Sequence, residues 1–300
     1  MSYKKLSQRE AIRQTSMFVI DKEIEAKYEK LVKDGIKEYK NSMLCISDED
    51  SLKEFIKSDS SSIKKLITVL GISGERFKRV VSLLRVQKGY TFDSEWNEER
   101  LQSELVKSDK LMAEFCELFL NGRNLSKYQG LIPKYILDDF RIDSDVIARI
   151  CNEDFLRKLI KSSYSSAYNK DYSDAYATLV EDKLKSMSEK YGLKYENRPL
   201  ENVWKDPLHL IGNTEKYIII NFQFNLTTSN QQTNYAEKVI APLRTSCRGN
   251  SDLLMVNVLD GAGWVARASD YKKVYNSCDC FFTLNTLENL EDIIKDFFNI

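Results

Sequence analysis

A run of neutral hydrogen-bonding side chains occupies residues 227–233, with the sequence Thr-Thr-Ser-Asn-Gln-Gln-Thr. Hydroxyl and amide groups of this kind suit contacts with phosphates or with base edges, and Asn or Gln can pair bidentately with adenine. Thr228, Asn230 and Gln231 are therefore candidate DNA-contacting residues. The alternative is an ordinary polar loop that joins a strand to a helix.

Asp260 is a second candidate, because it directly follows the apolar stretch 253–259 and precedes Gly261. A carboxylate at the carboxyl edge of a parallel sheet often faces a ligand site. Asp-Gly is also a common tight-turn dipeptide, so plain turn chemistry is the competing interpretation.

The scarcity of histidine and the scatter of cysteine disfavour several other chemistries. His209 is the only histidine and no nucleophile elbow lies nearby, which argues against Ser-His-Asp or Cys-His catalysis. Of the 6 cysteines only Cys278 and Cys280 are close together, so a zinc site would need thiolates from distant positions. Six cysteines are also few for a disulfide scaffold of this length, which favours a reducing cytoplasm.

The 300-residue chain has a formal net charge of +0, with 42% hydrophobic and 30% charged residues. It can therefore bury a core, and its length fits one large domain or two ordinary ones. The neutral balance excludes a globally basic nucleic-acid-binding protein but leaves room for a local basic face. The polar first ten residues and the lack of any long apolar segment predict a cytoplasmic protein without a signal peptide or membrane span.

A local basic face is predicted near residues 71–74, Gly-Ile-Ser-Gly, which separate two stretches of helical periodicity. A helix, a tight turn and a second helix are the elements of a helix-turn-helix. The second helix carries Arg76, Lys78, Arg79 and Arg85, and residues 76–92 include no acidic residue. Arg76 and Arg79 are thus candidates for contacts with DNA phosphates or bases. An ordinary helical hairpin with a solvated basic face is the more common structure of this kind.

Periodicity divides the chain into two regions of different structure. Helices are predicted at 23–39, 51–56, 62–70, 77–84, 99–120 and 145–160. Buried strands are predicted at 217–224, 253–259 and 281–284, alternating with helices at 175–191, 233–243, 269–276 and 286–298. The expected fold class is α/β: a helical region over residues 1–170, then a core with a mixed or mostly parallel sheet over 171–300.

Asp206-Pro207, the strand that ends in Asn221-Phe222-Gln223 and the loop 227–233 together resemble the core of type II restriction endonucleases of the PD-(D/E)XK superfamily. Many of these enzymes carry an aspartate on one strand, followed by a hydrophobic strand ending in E-x-K or E-x-Q. One branch continues into a TTS-x-x-QT loop. Residues 260–264 with Arg267 and Asp270 are similar to the DG-x-GW…R…SD segment of that branch. Residues 278–279, which lead into a strand, and residues 284–287 also resemble that branch. The resemblance runs from about Trp204 to the C-terminus and also touches residues 70–77.

The resemblance implies a fold of the restriction-endonuclease-like type and a Mg²⁺-dependent site. Asp206 is the implied metal ligand, and Asn221 and Gln223 stand at the matched catalytic positions. Phosphodiester hydrolysis needs a metal ion to neutralise the phosphate and activate water, and Mg²⁺ prefers oxygen ligands. Residues two apart on a strand share a face, so such a triplet places its two side chains together.

Two departures from the family pattern affect this site. The aspartate precedes its proline, and Asn221 stands where a glutamate is expected. We expect either an acid from elsewhere, with Glu181 on the preceding helix the first candidate, or a catalytically weak chain. Further acids considered for this role are Asp182, Glu215 and Glu237. The alternative is that Asn221 and Gln223 are simply polar residues at a strand end.

The function that the resemblance implies is a type II site-specific deoxyribonuclease, or one subunit of such an enzyme, that cuts double-stranded DNA. Arg267 would contact DNA by the same resemblance. Cutting both strands needs two sites, so a homodimer or a second endonuclease subunit is expected, together with a companion DNA methyltransferase. The alternative is a non-catalytic DNA-binding or specificity protein on the same fold. A cytosolic protein-interaction module is the third hypothesis.

Overall fold

The structure is a computed structural model that describes residues 5–90 and 94–300. The chain divides into two compact units, one formed by residues 25–165 and the other by residues 1–24 together with 166–300. The sequence analysis placed the whole N-terminus in the helical region and set the boundary at residue 170. In the structure residues 5–24 belong with the C-terminal unit instead.

Helices account for most of the N-terminal half. They are α1 (Gln8–Gln14), α2 (Lys22–Met43), α3 (Glu49–Ser58), α4 (Ser62–Leu70), α5 (Gly74–Gln87), α6 (Glu98–Lys107), α7 (Asp109–Asn121), α8 (Ser126–Gln129), α9 (Lys134–Leu137), α10 (Ser144–Cys151) and α11 (Glu153–Lys190). Within the helical unit, buried apolar side chains form one core that runs in sequence from Val32 to Ile160.

Two predicted helices are each divided in the structure by a capping residue. The stretch 99–120 forms α6 and α7, because extended Ser108 accepts a hydrogen bond from the N–H of Leu111 and begins a new helix. The stretch 145–160 is divided at Asn152, whose side chain accepts from the N–H of Phe155. Apolar periodicity continues across both breaks, and for this reason it did not reveal them.

The predicted helix, tight turn and helix at residues 62–87 are confirmed as α4 and α5. Gly71 ends α4 with φ of 66°, a left-handed conformation that favours glycine. Ser73 then caps α5 by accepting from the N–H of Arg76.

The C-terminal unit contains a five-stranded sheet with the strand order β1-β2-β3-β4-β5. The strands are β1 (Lys194–Leu200), β2 (Trp204–Gly212), β3 (Tyr217–Phe224), β4 (Leu253–Asp260) and β5 (Cys280–Phe282). The β1–β2 and β2–β3 pairs are antiparallel, whereas β3–β4 and β4–β5 are parallel. The sheet is therefore mixed, and the α/β class is confirmed at that level.

The sequence analysis missed β1 and β2. No residue of the edge strand β1 is buried, and the first four residues of β2 lie outside the core. Such strands lack the continuous apolar run that predicted β3 and β4.

Each face of the sheet carries its own apolar core. On the first, which we call the α11 face, Ile218 and Ile220 of β3 pack with Val180 and Leu184 of α11. On the second, the α14 face, Ile219 packs with helices that follow β3 and β4. The helices and turns after β3 are α12 (Asn230–Asn234), a π-helical turn (Tyr235–Ile240), α13 (Ala241–Cys247), a 3-10 turn (Ala262–Arg267), α14 (Ala268–Asn276), a 3-10 turn (Leu284–Asn289) and α15 (Leu290–Phe298).

The N-terminal segment is part of this unit. Ala11 of α1 is fully buried in the core of the α14 face. Across the described ranges, no helix combines the length and the apolar character that crossing a membrane requires. All six cysteines lie within the described ranges, and none of them forms a disulfide bond.

Candidate functional site

The structure brings Asp206 and Gln223 to the same end of the sheet. The last residue pair between β2 and β3 is His209 with Ile220. Asp206 lies three residues before His209 and Gln223 three residues after Ile220, so both extend past the paired region in the same direction. Alternation along β3 puts Gln223 on the α14 face with buried Ile219, whereas β2 is irregular between Trp204 and Leu208, so alternation does not assign Asp206 to a face. Asp206 is exposed and Gln223 is half-buried.

Asn221 is committed to contacts inside the sheet. Its side chain is on the same face as that of Gln223, and its Nδ2 donates to Oδ1 of Asn257 on β4 at 3.1 Å. Asn257 Nδ2 in turn donates to the carbonyl of Val274 on α14 at 2.9 Å. Asn221 is only 8% exposed and Asn257 is fully buried. The amide at the position matched to the family's glutamate therefore joins β3, β4 and α14.

The structure does not bring Glu181 to Asn221. Glu181 lies on α11 next to Val180. Val180 and Leu184 of this helix pack on the opposite face of the sheet. Its nearest charged partner is Lys185, at 3.6 Å. Because α11 covers the other face, Glu181 does not replace the missing glutamate beside Asn221.

Asp206 with its exposed carboxylate and the amides of Gln223 and Asn225 are the candidate donors at the start of β2 and the end of β3. Nowhere in residues 5–90 and 94–300 do three or more His, Cys, Asp or Glu side chains cluster in a way that could hold a metal ion. A single carboxylate with an amide oxygen is a weaker donor set for Mg²⁺ than two carboxylates. The residues present thus do not fit the metal site that the family pattern describes.

The two segments that carry the family resemblance pack closely against each other. The N–H of Gly263 donates to the carbonyl of Asn225 at 2.8 Å, and Thr228 Oγ1 donates to the carbonyl of Gly263. A Cβ at Gly263 would lie 2.4 Å from the carbonyl oxygen of Thr227, and one at Gly261 would lie 2.3 Å from that of Asn225. Both glycines are required for this backbone contact, and Gly261 also has φ of 104°.

Much of the polar loop 227–233 serves its own structure. Ser229 caps α12, and Gln232 closes a capping box with it. Arg267 donates to Oδ1 of Asn230 at 3.3 Å and to the hydroxyl of Thr233 at 3.4 Å. Gln231 stays exposed at the start of α12. The loop thus combines a structural role with a few outward-facing polar groups, and Arg267 holds the loop rather than pointing freely into solvent.

Asp260 is a buried structural carboxylate. Its Oδ1 accepts from the N–H of Ser16 at 2.6 Å, and its Oδ2 accepts from the hydroxyl of Tyr176 and the N–H of Leu284 at 2.8 and 2.7 Å. Burial raises the pKa of Asp260 to about 6, although these donors act in the opposite direction. The carboxylate joins three separate segments and does not face an open site.

The basic residues of α5 are engaged with acidic or aromatic partners. Arg76 contacts Asp139 at 3.0 Å, and Arg79 contacts Glu75 at 3.1 Å and also Glu95. Arg85 is 2% exposed; it donates to the carbonyl of Ser94 and lies 4.1 Å from the ring centre of Trp96. Burial excludes Arg85 from phosphate contact. Arg76 and Arg79 would have to exchange a carboxylate for a phosphate.

A cleft of about 230 Å³ lies at the carboxyl end of β3. Its lining residues are Ser173, Tyr176, Ala177, Phe222, Gln223, Phe224, Asn225 and Gln231. Gln223 Oε1 and Asn225 Nδ2 are buried and have no hydrogen-bond partner within the described part of the chain. Leaving such a group unpaired costs roughly 1–3 kcal/mol. The sequence analysis did not single out Asn225, Ser173 or Tyr176, because only the strand end and α11 together form the cleft.

The single histidine lies on the α11 face of the sheet. His209 Nδ1 and the hydroxyl of Tyr195 are 2.7 Å apart, and the ring packs on Phe222 at 4.5 Å between centres. Burial lowers the pKa of His209 and raises that of Tyr195. These contacts are consistent with a role in packing.

Comparisons of the chain with protein-family models, with curated proteins and with solved structures found no match. The restriction-endonuclease resemblance therefore stays a prediction from the sequence.

Proposed function

We propose that this chain is a type II restriction endonuclease, or one subunit of such an enzyme, that acts on double-stranded DNA. The observation that supports this most is the position of Asp206 and Gln223, which extend past the β2–β3 pairing in the same direction, at the same end of the sheet. The contact between the polar loop and the Gly261–Gly263 segment also supports it, because both segments carry the family pattern.

Asp206 would hold Mg²⁺ in this proposal only together with a carboxylate from a second chain, because the residues of this chain do not complete the site by themselves. A metal ion held in this way would supply charge neutralisation at the phosphate and a more acidic water. Gln223 would orient the attacking water beside Asp206. Thr228, Asn230 and Gln231 would face the DNA. Asn221 has no direct part, since its amide is paired with Asn257.

A second chain would complete the enzyme. Double-strand cleavage needs two sites. Because Asp206 is the one carboxylate assigned to the site of this chain, a carboxylate from another subunit would help to complete it. The partner would be a second copy of this chain or a different endonuclease subunit. A companion DNA methyltransferase would protect the host DNA.

The test is digestion of supercoiled plasmid with Mg²⁺, by the wild type and by Asp206→Asn. The proposal expects nicked or discrete linear products from the wild type and none from the variant, with DNA binding in Ca²⁺ retained. Asp252→Asn is the matched control, because Asp252 is an exposed carboxylate at the opposite end of the sheet, beside the start of β4. Equal cleavage by wild type and Asp206→Asn would show that Asp206 has no catalytic part.

A non-catalytic DNA-binding or specificity protein on the same fold is the second candidate. The engagement of Asn221 with Asn257 and the position of Glu181 on the other face favour it. In that case the wild type shifts DNA in a gel and leaves plasmid intact, both alone and with a second endonuclease subunit. The same digestion therefore separates the two functions.

A further inference from the structure

The cleft at the carboxyl end of β3 is lined entirely by uncharged residues: Ser173, Tyr176, Ala177, Phe222, Gln223, Phe224, Asn225 and Gln231. A phosphate would therefore meet no cation among these residues. The lining combines amides with aromatic rings, which suits a neutral, planar ligand that hydrogen-bonds along one edge.

Two amides of this cleft have hydrogen-bonding capacity that the described residues leave unused. Asn225 is 8% exposed, and its Nδ2 is a buried donor without a partner. Gln223 Oε1 is a buried acceptor without a partner, two residues earlier in the chain. By contrast, the backbone N–H and carbonyl of Asn225 are satisfied by Asp260 and Gly263. The unused groups thus belong to side chains on a fixed backbone.

One aromatic ring of the cleft, that of half-buried Phe222, is partly accessible beside these amides. Tyr176 and Phe224 are 1% and 3% exposed and stack on each other, with ring centres 5.1 Å apart and an interplanar angle of 23°. An accessible aromatic face stacks with nucleobases irrespective of sequence.

We infer that this cleft receives a single nucleobase that has been turned out of the DNA stack. The edge of a base offers a donor and an acceptor side by side, complementary to Gln223 Oε1 and Asn225 Nδ2, and its plane would pack against the accessible part of Phe222. This inference rests on the proposed action on DNA, and it adds a base-reading pocket to the site at the strand ends.

The first experiment tests the cleft without duplex DNA. The side-chain amide signals of Asn225, assigned with the Asn225→Asp variant, are followed by NMR while each of the four deoxynucleosides is added at millimolar concentration. We expect a saturable shift with at least one deoxynucleoside and none with deoxyribose 5-phosphate. No shift with any deoxynucleoside would overturn the inference, because a bound water would then suffice for both amides.

The second experiment compares a fully paired duplex with one in which an abasic site faces a central adenine. An unpaired base costs less to extrude, so we expect the wild type to bind the second duplex about tenfold more tightly. Asn225→Asp keeps the side-chain shape but exchanges the donor for an acceptor, and Ala177→Leu fills the cleft without touching either amide. Both variants should lose the preference, whereas Asn276→Asp, at an exposed residue of α14, should keep it.

The outcomes separate this inference from the proposed function. Equal binding of both duplexes by the wild type would overturn the inference and leave the proposed function standing. Retention of the preference by both cleft variants would overturn it as well. Binding of deoxynucleosides with no binding of either duplex would support the cleft and contradict action on DNA.

Discussion

The buried amides of Asn221 and Asn257 form a ladder between two parallel strands. Asn221 and Asn257 are paired in the β3–β4 register, and the chain of donors ends at the carbonyl of Val274 on α14. A shift of the strands by one residue would separate the two amides. We therefore infer that this pair helps to fix the register of β3 against β4.

Replacing Asn221 by Leu should destabilise the protein by about 1–3 kcal/mol, because Oδ1 of buried Asn257 loses its donor. The double variant Asn221→Leu/Asn257→Leu should be less destabilised than the sum of the single variants, since neither polar group is then left unpaired. Urea denaturation of the four proteins measures this coupling.

Asn276→Leu is the control for this cycle, because Asn276 is exposed at the end of α14. It should change the free energy of unfolding by less than about 0.5 kcal/mol. Strict additivity of the two core variants would show that the amides act independently.

The carboxylate of Asp260 should make stability depend on pH. Burial raises its pKa from 3.8 to about 6 in the folded protein, so the folded state holds a proton more tightly than the unfolded chain. The resulting stabilisation is fully present below the unfolded pKa and is lost as pH rises through about 6. Its size is up to about 3 kcal/mol.

The measurement is the free energy of unfolding between pH 4 and pH 8, for the wild type and for Asp260→Asn, which does not titrate in this range. The difference between the two curves removes the contribution of all other groups. The free energy of unfolding of the wild type, relative to that of Asp260→Asn, should decline as pH rises through about 6. A flat difference would show that the three donors to Asp260 balance the effect of its burial.

At the scale of elements, the basic helix α5 carries both a buried and an exposed arginine. Arg85 is buried against Trp96 and donates to the carbonyl of Ser94, whereas the side chain of Arg79 is 63% exposed. Exposed ion pairs contribute little to stability, while a buried charge that loses its packing is costly.

We expect Arg85→Gln to lower the free energy of unfolding by about 2 kcal/mol and Arg79→Gln to change it by less than about 1 kcal/mol. Thermal and urea unfolding of the two variants provide the measurement. Similar effects at both positions would contradict the distinction between a buried and a solvated face of α5.

At the scale of the whole molecule, the N-terminal segment is joined to elements more than 240 residues away in sequence. The carbonyls of Ser16 and Met17 accept from the N–H groups of Gly261 and Ala262 at 2.9 and 3.0 Å. The carbonyl of Gln14 accepts from the side chains of Thr283 and Asn285. The segment therefore completes the carboxyl edge of β4 and β5.

Deletion of residues 1–17 should lower the melting temperature by roughly 5–10 °C, because several hydrogen bonds of about 1 kcal/mol each are lost and Ala11 leaves the core. A synthetic peptide of residues 1–21 should restore part of this loss in a concentration-dependent way. An unchanged melting temperature would contradict a structural role for the segment.

The sequence by itself determined the features that depend on local periodicity and turn chemistry. The α4–α5 hairpin, the buried strands β3 and β4 and the final helix were predictable, since each shows an apolar pattern bounded by caps or glycines. The sequence also identified the strand end at Asn221–Gln223 and the polar loop after it. Local patterns are sufficient for such elements because neighbouring residues stabilise them.

Only the tertiary structure decided what the polar groups do, because hydrogen bonds and burial depend on residues that are distant in the chain. It paired Asn221 with Asn257, buried Asp260 under the N-terminal segment and placed Glu181 across the sheet from Asn221. It also paired β1, which has no buried residue, and β2, whose first half is largely exposed, with the buried strand β3. The side of the sheet on which an acidic residue lies is fixed by the packing of α11, and no spacing in the sequence records it.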